Sequence, residues 1–245
     1  MRALTANDVV RVWELGHGRN PVDQAVGVLS AAFPQTTADE LRRLSLGQRN
    51  AQLLAVRESL FGSELEAYSE CDNCGTPLEF SLSSAALRGG LPAGAADAEF
   101  ELTAAGFALR FRPLNSFDLV AASSCRTVAA GRQLLVKRCV LAAQREQETV
   151  AVDELPPAVV ELLASRLSEC DPQAEMLIDL ACPACDFRWA LPFDIAGFLY
   201  AEIRVQAQRL LREVHALARA YAWSESDILA LSAPRRRYYL ELLGQ

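Results

Sequence analysis

The sequence has few residues suited to catalysis and no long apolar run. Its two histidines, His17 and His215, stand apart from any serine or cysteine pattern that would predict a catalytic triad. No apolar stretch approaches the roughly 18–20 residues that a membrane helix requires. The first twenty residues contain no apolar run after a basic start, so we expect no signal peptide. These absences argue against an enzyme with a small-molecule substrate and against a membrane protein.

The chain also lacks a positive net charge. Its formal net charge is −7 and its isoelectric point is about 5.0. Because binding to phosphates requires a basic face, nucleic acid is disfavoured as the main partner. With 51% hydrophobic residues in 245, the chain can form a real core, in one large or two small domains.

Seven cysteines are present, and four of them form two Cys-x-x-Cys motifs. With no secretion signal expected, we place the chain in the reducing cytosol, where such pairs more often bind metal than form disulfides. The remaining three, Cys125, Cys139 and Cys170, fall in predicted helices among apolar residues, and we interpret them as core packing.

The two motifs share their flanking sequence, SECDNCGTPLEFSL at residues 69–82 and LACPACDFRWALPF at residues 180–193. In both, a turn residue and an alternating apolar strand follow the cysteines. Since zinc prefers four ligands at the corners of a tetrahedron, we predict a closed structural Zn²⁺ site. Its ligands would be Cys71, Cys74, Cys182 and Cys185. The long separation is a weak objection, because closure entropy grows only with the logarithm of loop length.

Two other interpretations of the cysteines remain open at this point. They could be a thioredoxin-like redox pair, although no βαβ pattern follows either motif. They could also be unrelated pairs that pack as small apolar residues, although the matching strands argue against it. Among these, the zinc ribbon explains the repeat best.

The predicted fold is α+β and mostly helical: a split zinc ribbon with β-hairpins, an inserted subdomain and a long C-terminal helix. We divide it into an N-terminal helical region (1–66), the split ribbon (67–82 with 178–193), an inserted α/β subdomain (83–177) and a C-terminal helical region (194–245).

Capping patterns and apolar periodicity predict the individual elements. Helix starts are indicated at Thr5–Asp8, Asn20-Pro21 and Thr37–Glu40. The predicted elements after the first motif are a Gly/Ala/Pro-rich connector (83–98), a hairpin (100–111), helices at 116–143 with a break near Gly131 and at 157–168, a strand before Cys182, and a long helix from Asp194 followed by two short ones.

For two charged clusters, the preferred interpretation is a solvent-exposed surface without a specific role. Acidic residues surround the first motif (Glu64, Glu66, Glu70 and Asp72), and a docking surface for a basic partner is the alternative. The run Arg235–Arg237 beside Tyr238 and Tyr239 is read as a charged helix face, with a protein contact next and nucleic acid last.

Two stretches resemble the T-even-phage baseplate hub assembly family. The first, LSLGQRNAQLLAVRESLFGSELEAYSECDNCGTPLEFSL, has a Gly-x-Arg-Asn start to a Leu-rich helix, a Phe-Gly turn and a Cys-x-x-Cys-Gly knuckle. The second, CPACDFRWALPFDIAGFLYAEI running into LLREVHALARAYAWSESDILALSAPRRRYYLELL, is similar to the family's closing part. Asp186 stands where glycine is usual, and the middle and the first forty residues do not take part in the resemblance.

The resemblance implies a non-enzymatic factor that helps a contractile-tail or contractile-injection baseplate to assemble, or a minor component of it. Its partners would be baseplate hub or wedge proteins. The alternative is a zinc-ribbon protein that binds nucleic acid, but the strands LEFSL and RWALPF carry one arginine between them. An enzyme, either a thiol oxidoreductase or a hydrolase, is the third class, and no residue pattern favours it.

Overall fold

The computed structural model describes residues 1–88 and 98–244, and its fold is α+β with small antiparallel sheets. The α+β, mostly helical class predicted from the sequence is therefore confirmed. Most of the predicted connector lies outside the described residues, but its start, Ser84–Arg88, is a short helix. No helix in the described ranges combines the length and the apolarity that crossing a membrane requires.

The chain forms two compact units, one made of Met1–Thr36 with Ile195–Gln245 and the other of Thr37–Asp194. We call them the terminal unit and the central unit. The chain leaves the terminal unit once, builds the whole central unit and then returns. These boundaries differ from the four regions predicted above, which stay a prediction.

Helices of the terminal unit begin at caps predicted from the sequence. Helix α1 covers Ala6–Gly16, where the Thr5 hydroxyl accepts from the Asp8 N–H and the Asp8 carboxylate accepts from the Thr5 N–H. Helix α2 covers Pro21–Ala32, with Asn20 as its cap. Such side chains satisfy N–H groups that a helix leaves unpaired at its start, so both predicted starts are confirmed.

The long helix predicted after the second motif is α9, Ile195–Tyr221. It packs against α1 and α2, and its buried residues recur at three- and four-residue steps as an amphipathic helix requires. They are Ile195, Ala196, Leu199, Ile203, Ala207, Leu210, Val214 and Leu217. Near one end, the Tyr200 hydroxyl donates to the Trp13 carbonyl at 3.0 Å. The stripe thus forms the core of the terminal unit.

Two short helices complete this unit, and we number them α10 (Glu225–Ala230) and α11 (Ala233–Leu243). In α11 the three consecutive arginines do not share one face. Arg236 is 5% exposed, and its Nε donates to a Glu213 carboxylate oxygen at 2.9 Å, whereas its neighbours on either side are exposed. The charged face predicted for the whole run is wrong at Arg236, because i±1 neighbours on a helix point in different directions.

In the central unit, α3 (Ala38–Arg43) and α4 (Leu46–Phe61) lead into a hairpin of β1 (Glu64–Glu70) and β2 (Pro77–Ser83). The capping box predicted at Thr37–Glu40 starts α3. The sequence predicted a hairpin around the first motif, but it assigned residues only to the strand that follows the cysteines and not to β1. The helix α5 is the segment Ser84–Arg88 described above.

A four-stranded antiparallel sheet follows, in the order β3-β4-β5-β6. Its strands are β3 (Phe100–Ala104), β4 (Phe107–Phe111), β5 (Val140–Arg145) and β6 (Glu148–Thr149). The predicted hairpin at 100–111 is confirmed as β3 and β4. The last two strands were missed, since residues 140–143 were predicted to be helical.

The helices of this region are α6 (Ser116–Ser123), α7 (Val128–Cys139) and α8 (Pro157–Cys170). Helices α7 and α8 contact the sheet, and α6 packs against α7 and α3. The predicted break near Gly131 is wrong, because the helix is interrupted earlier, between Ser123 and Val128. Apolar side chains of the sheet and of α7 and α8 form one core. Its buried members are Phe107, Leu109, Phe111, Cys139, Val140, Ala143, Leu155, Val159 and Leu163.

The central unit closes with a second hairpin, formed by β7 (Met176–Ala181) and β8 (Arg188–Phe193). The predicted strand before Cys182 is confirmed as β7. Its burial alternates, with Met176 and Ile178 facing inward. Period-two alternation of this kind is typical of a strand with one buried face.

We expect the buried Arg236 to stabilise the terminal unit far more than Arg235 does. Replacing Arg236 by alanine removes its bonds to Glu213 and to the Leu231 carbonyl and leaves Glu213 with the more exposed Arg209, so we expect a cost of about 2 kcal/mol in unfolding free energy. Arg235→Ala is the matched control on the same helix and should change the free energy of unfolding by less than about 0.5 kcal/mol. Urea unfolding measures both, and equal effects would contradict this assignment.

Candidate metal centre

The two Cys-x-x-Cys motifs form the tips of two hairpins with the same register. In the first hairpin Leu65 pairs with Leu82 and Glu70 with Pro77. When Cys71 is aligned on Cys182, the equivalent pairs of the second hairpin are Met176 with Phe193 and Ala181 with Arg188, and both are observed. The repeat in the sequence is therefore a repeat in structure.

The turns at the two tips are also alike. The N–H of Gly75 donates to the Cys71 carbonyl at 2.8 Å, and the N–H of Asp186 donates to the Cys182 carbonyl at 3.0 Å. Both turn residues have positive φ, 71° at Gly75 and 55° at Asp186. Aspartate tolerates this left-handed conformation better than most residues do, which explains how Asp186 can stand where the first motif has glycine.

The four thiols of the motifs meet in one cluster, with all sulfur atoms within 4.8 Å of one another. The Cys71 and Cys185 sulfurs are 3.7 Å apart, and those of Cys74 and Cys182 are 3.6 Å apart. These separations are too long for disulfides, whose sulfurs lie about 2.05 Å apart. A tetrahedral metal with bonds of about 2.3 Å to sulfur has edges of about 3.8 Å, so the cluster fits a metal ion of that size.

Burial and hydrogen bonding act in opposite directions on two of these thiols. Bonds with Thr76, and then with Cys185, lower the pKa of the exposed Cys74 to about 6. Burial raises the pKa of Cys182 to about 11. Metal ligands must be thiolates, so a bound cation has to displace the Cys182 proton, and binding will weaken as pH falls.

Helix α4 holds the segment that leads into the second hairpin. At its N-terminus, the Ser45 hydroxyl and the Gly47 N–H donate to the two carboxylate oxygens of Asp171, each at 2.9 Å. One turn later the Asn50 amide donates to the Gln173 carbonyl at 2.9 Å. Because Asp171 and Gln173 immediately precede β7, these bonds position the second motif.

The other end of α4 holds the start of the first hairpin. The Arg57 side chain is 3% exposed, and its Nη1 donates to the carbonyls of Gly62 and Glu64. Gly62 ends the helix with a φ of 89°, a conformation that favours glycine. One helix thereby positions both hairpins whose tips carry the cysteines.

The Gly-x-Arg-Asn motif quoted from the sequence thus has a structural part in the site. Gly47 contributes its N–H and its small size, and Asn50 contributes its amide. The buried Arg49 donates to the Asn50 side chain at 3.0 Å, which orients that amide, and it lies near the Asp194 carboxylate. Burial lowers the pKa of Arg49, and Asp194 offsets part of this.

The other candidate residues lie outside the cluster. Cys139 is buried at the end of α7, where burial raises the pKa of its thiol to about 11. Cys170 ends α8, and Cys125 lies between α6 and α7 rather than on a helix, contrary to the prediction. The histidines, His17 and His215, belong to the terminal unit.

Sequence reasoning missed the residues that support the cysteines. Thr76 follows the first motif as the hydrogen-bond partner of Cys74, and Asn73 donates to the Cys185 sulfur at 3.5 Å. A polar residue inside or next to a metal-binding turn is a signal that could have found both. Asp171 carried no such signal, because its partners lie more than a hundred residues earlier.

Comparisons with known proteins add no relative: no family model, curated protein or solved structure matches the chain.

We expect Gly47→Ala to loosen the second hairpin. An added β-carbon would overlap Oδ1 of Asp171, which must then move away from the helix N-terminus. Overpacking of this kind costs about 1–3 kcal/mol in unfolding free energy. Gly27→Ala is the matched control, since a β-carbon there meets nothing within 4 Å in the middle of α2.

The control should stabilise the protein by about 0.5–1 kcal/mol, as alanine does in a helix interior. Chemical denaturation of both variants, each with and without added zinc, gives the comparison. If Gly47→Ala changes the free energy of unfolding in the same way as Gly27→Ala, the hydrogen bonds to Asp171 do not contribute to stability.

Proposed function

We propose that the four cysteines bind one Zn²⁺ and complete a split zinc ribbon. The observation that carries this proposal is the meeting of two hairpins of equal register at four sulfur atoms with the separations of a tetrahedral site. Four thiolates are one of the ligand sets that structural zinc sites use. With Cys71, Cys74, Cys182 and Cys185 as ligands, the coordination shell is full.

A filled shell leaves no position for water or substrate, so the metal would have a structural role and no catalytic one. It would join the tips of hairpins that are far apart in the sequence. Structural zinc contributes on the order of 10 kcal/mol to folding in model peptides. The expected effect here is a rigid central unit whose exposed hairpin faces keep a constant shape.

Protein purified under reducing, zinc-replete conditions should contain one zinc per chain by elemental analysis. Cys182→Ser should lose the metal and much of the stability of the central unit, because the buried ligand is removed. Cys125→Ser, a half-buried cysteine outside the cluster, is the control and should retain both. Much less than one zinc per wild-type chain, or stoichiometric iron in its place, would contradict the proposal.

We further propose that the protein is a non-enzymatic assembly factor or minor component of the baseplate of a contractile phage tail or contractile injection system. Support comes from the resemblance of the Gly-x-Arg-Asn helix, the knuckles and the closing helices to the baseplate hub assembly family. Residues of that resemblance also cooperate physically here, since Gly47 and Asn50 hold the segment that leads to the second knuckle.

The outer face of the first hairpin favours a protein partner over nucleic acid. Its exposed residues include four glutamates, Glu64, Glu66, Glu70 and Glu79, on adjacent strands of the hairpin. Carboxylates at this density repel phosphates, whereas they attract a basic protein surface. We propose that this rigid acidic face holds a hub or wedge subunit during assembly.

Affinity capture of the tagged chain from its native host during particle production tests this role. Hub or wedge subunits should co-purify with the wild type and with Cys125→Ser, and should be depleted with Cys182→Ser. Persistence of the chain in purified particles would identify a component, and its absence there would identify a transient factor. Recovery of polymerase subunits or nucleic acid without tail proteins would contradict the proposal, as would a folded Cys182→Ser that supports full assembly.

A further inference from the structure

The central unit contains a cavity of about 470 Å³ that is lined by three arginines. Arg43 comes from the end of α3, Arg112 from the loop after β4, and Arg138 from the last turn of α7. These cations line one cavity although the chain as a whole has a net charge of −7. Neither the metal centre nor the proposed assembly role accounts for it.

The fully buried carboxylate of Asp118 holds two of these arginines in place. It accepts from both Nη groups of Arg112, at 2.7 and 3.0 Å, and from Nε of Arg138 at 2.7 Å. The Asn115 N–H supplies a fourth bond at 2.9 Å. Four bonds saturate a carboxylate, so both guanidinium groups are oriented before any ligand arrives.

Burial alone would raise the pKa of Asp118, but the bonds from Arg112, the Asn115 N–H and Arg138 outweigh it and keep this pKa below its usual value. The carboxylate is therefore ionised at neutral pH. It neutralises one of the two cations that it holds and leaves the other as surplus.

Several donors of the arginine cluster still lack an acceptor. Arg138 uses its Nε for Asp118, and no bond within residues 1–88 and 98–244 engages its Nη groups. For Arg43, the same ranges provide no hydrogen bond or ion pair. The side chains of Arg112 and Arg138 are 27% and 37% exposed, so solvent and a ligand can reach them.

The charges in and around the cavity are mostly positive. Three guanidinium groups face one buried carboxylate, that of Asp118, and the lining Glu99 is paired with Arg110 at 3.4 Å. The exposed Glu40, one turn before Arg43 on α3, interacts with Arg43 and offsets part of its charge. The remaining positive charge favours an anionic ligand. A phosphate monoester carries about −1.5 to −2 charges at pH 7 and accepts the forked bonds that arginine donates.

Apolar side chains form part of the same cavity. Phe117, half-buried at the start of α6, and Leu141, exposed on β5, line it beside the arginines. Cavities of roughly 300–1,000 Å³ are typical of small-ligand sites in which a few polar groups orient a mainly apolar ligand. An apolar group attached to the phosphate could therefore pack against Phe117 and Leu141.

We propose that this cavity binds a phosphate group, either as the free ion or as the ester of a small apolar-bodied molecule. Arg43 and the Nη groups of Arg138 contact the phosphate oxygens, and Asp118 is the positioning residue that orients Arg112 and Arg138. The site is a binding site, and it stands independently of the metal centre and of the baseplate role.

Calorimetric titration of the zinc-loaded full chain with phenyl phosphate, inorganic phosphate and benzoate tests the proposal at low salt and above pH 7. Phenyl phosphate should bind at one per chain and at least tenfold more tightly than benzoate. A matching affinity for inorganic phosphate would assign the site to the free ion, and a weaker one to an ester. Both results support a phosphate site.

The variant Arg43→Gln should weaken binding about tenfold or more, the usual loss for a bond to a charged group, without unfolding the protein. Arg138→Gln should weaken it similarly, and Arg132→Gln, an exposed arginine on the same helix, is the control and should not change it. The proposal is overturned if no saturable binding occurs, if benzoate binds as tightly as phenyl phosphate, or if Arg43→Gln binds like the wild type.

Discussion

The central unit depends on the meeting of two hairpin tips at four sulfur atoms. Residues 75–181 separate the two cysteine pairs, so their contact closes a very long loop and costs conformational entropy. Thiols 3.6–3.7 Å apart attract one another only weakly, and thiolates repel. A cation at the centre of the cluster would convert this repulsion into bonds, which supports the structural role proposed for a metal there.

Helix α4 determines where the tips can meet. Its N-terminus binds Asp171, just before the second hairpin, and Arg57 near its C-terminus binds the carbonyls that begin the first. The two hairpins thus begin at opposite ends of one helix, α4 (Leu46–Phe61). The bonds at both ends of α4 therefore fix where each hairpin begins relative to the other.

Local signals in the sequence predicted the parts of the fold that local chemistry decides. Caps such as Thr5 and Thr37 and the apolar stripe of α9 specify helices by contacts within a few residues, and the repeated Cys-x-x-Cys turns specify equal hairpins. The two-residue strand β6 pairs with β5, and β5 was missed because its own partner, β4, lies before the helices α6 and α7 in the chain. The hydrogen bonds from Ser45 and Gly47 to Asp171 were missed because these residues are also far apart in the sequence.

The buried ionic groups of the central unit lie at points where separate parts of the fold must keep a fixed geometry. Ion pairs inside proteins add little net stability, since desolvation offsets much of their attraction. Arg49, Arg57 and Asp118 are nevertheless buried. Each of them lies at a junction, either between segments that are distant in the sequence or between a helix end and a strand, where the relative positions of the two parts are fixed. Directional bonds define such a geometry more narrowly than apolar contact does, because they require both distance and angle. We infer that Arg49 and Arg57 fix the positions of the hairpins that carry the cysteines, and that Asp118 fixes the positions of the arginines of the cavity.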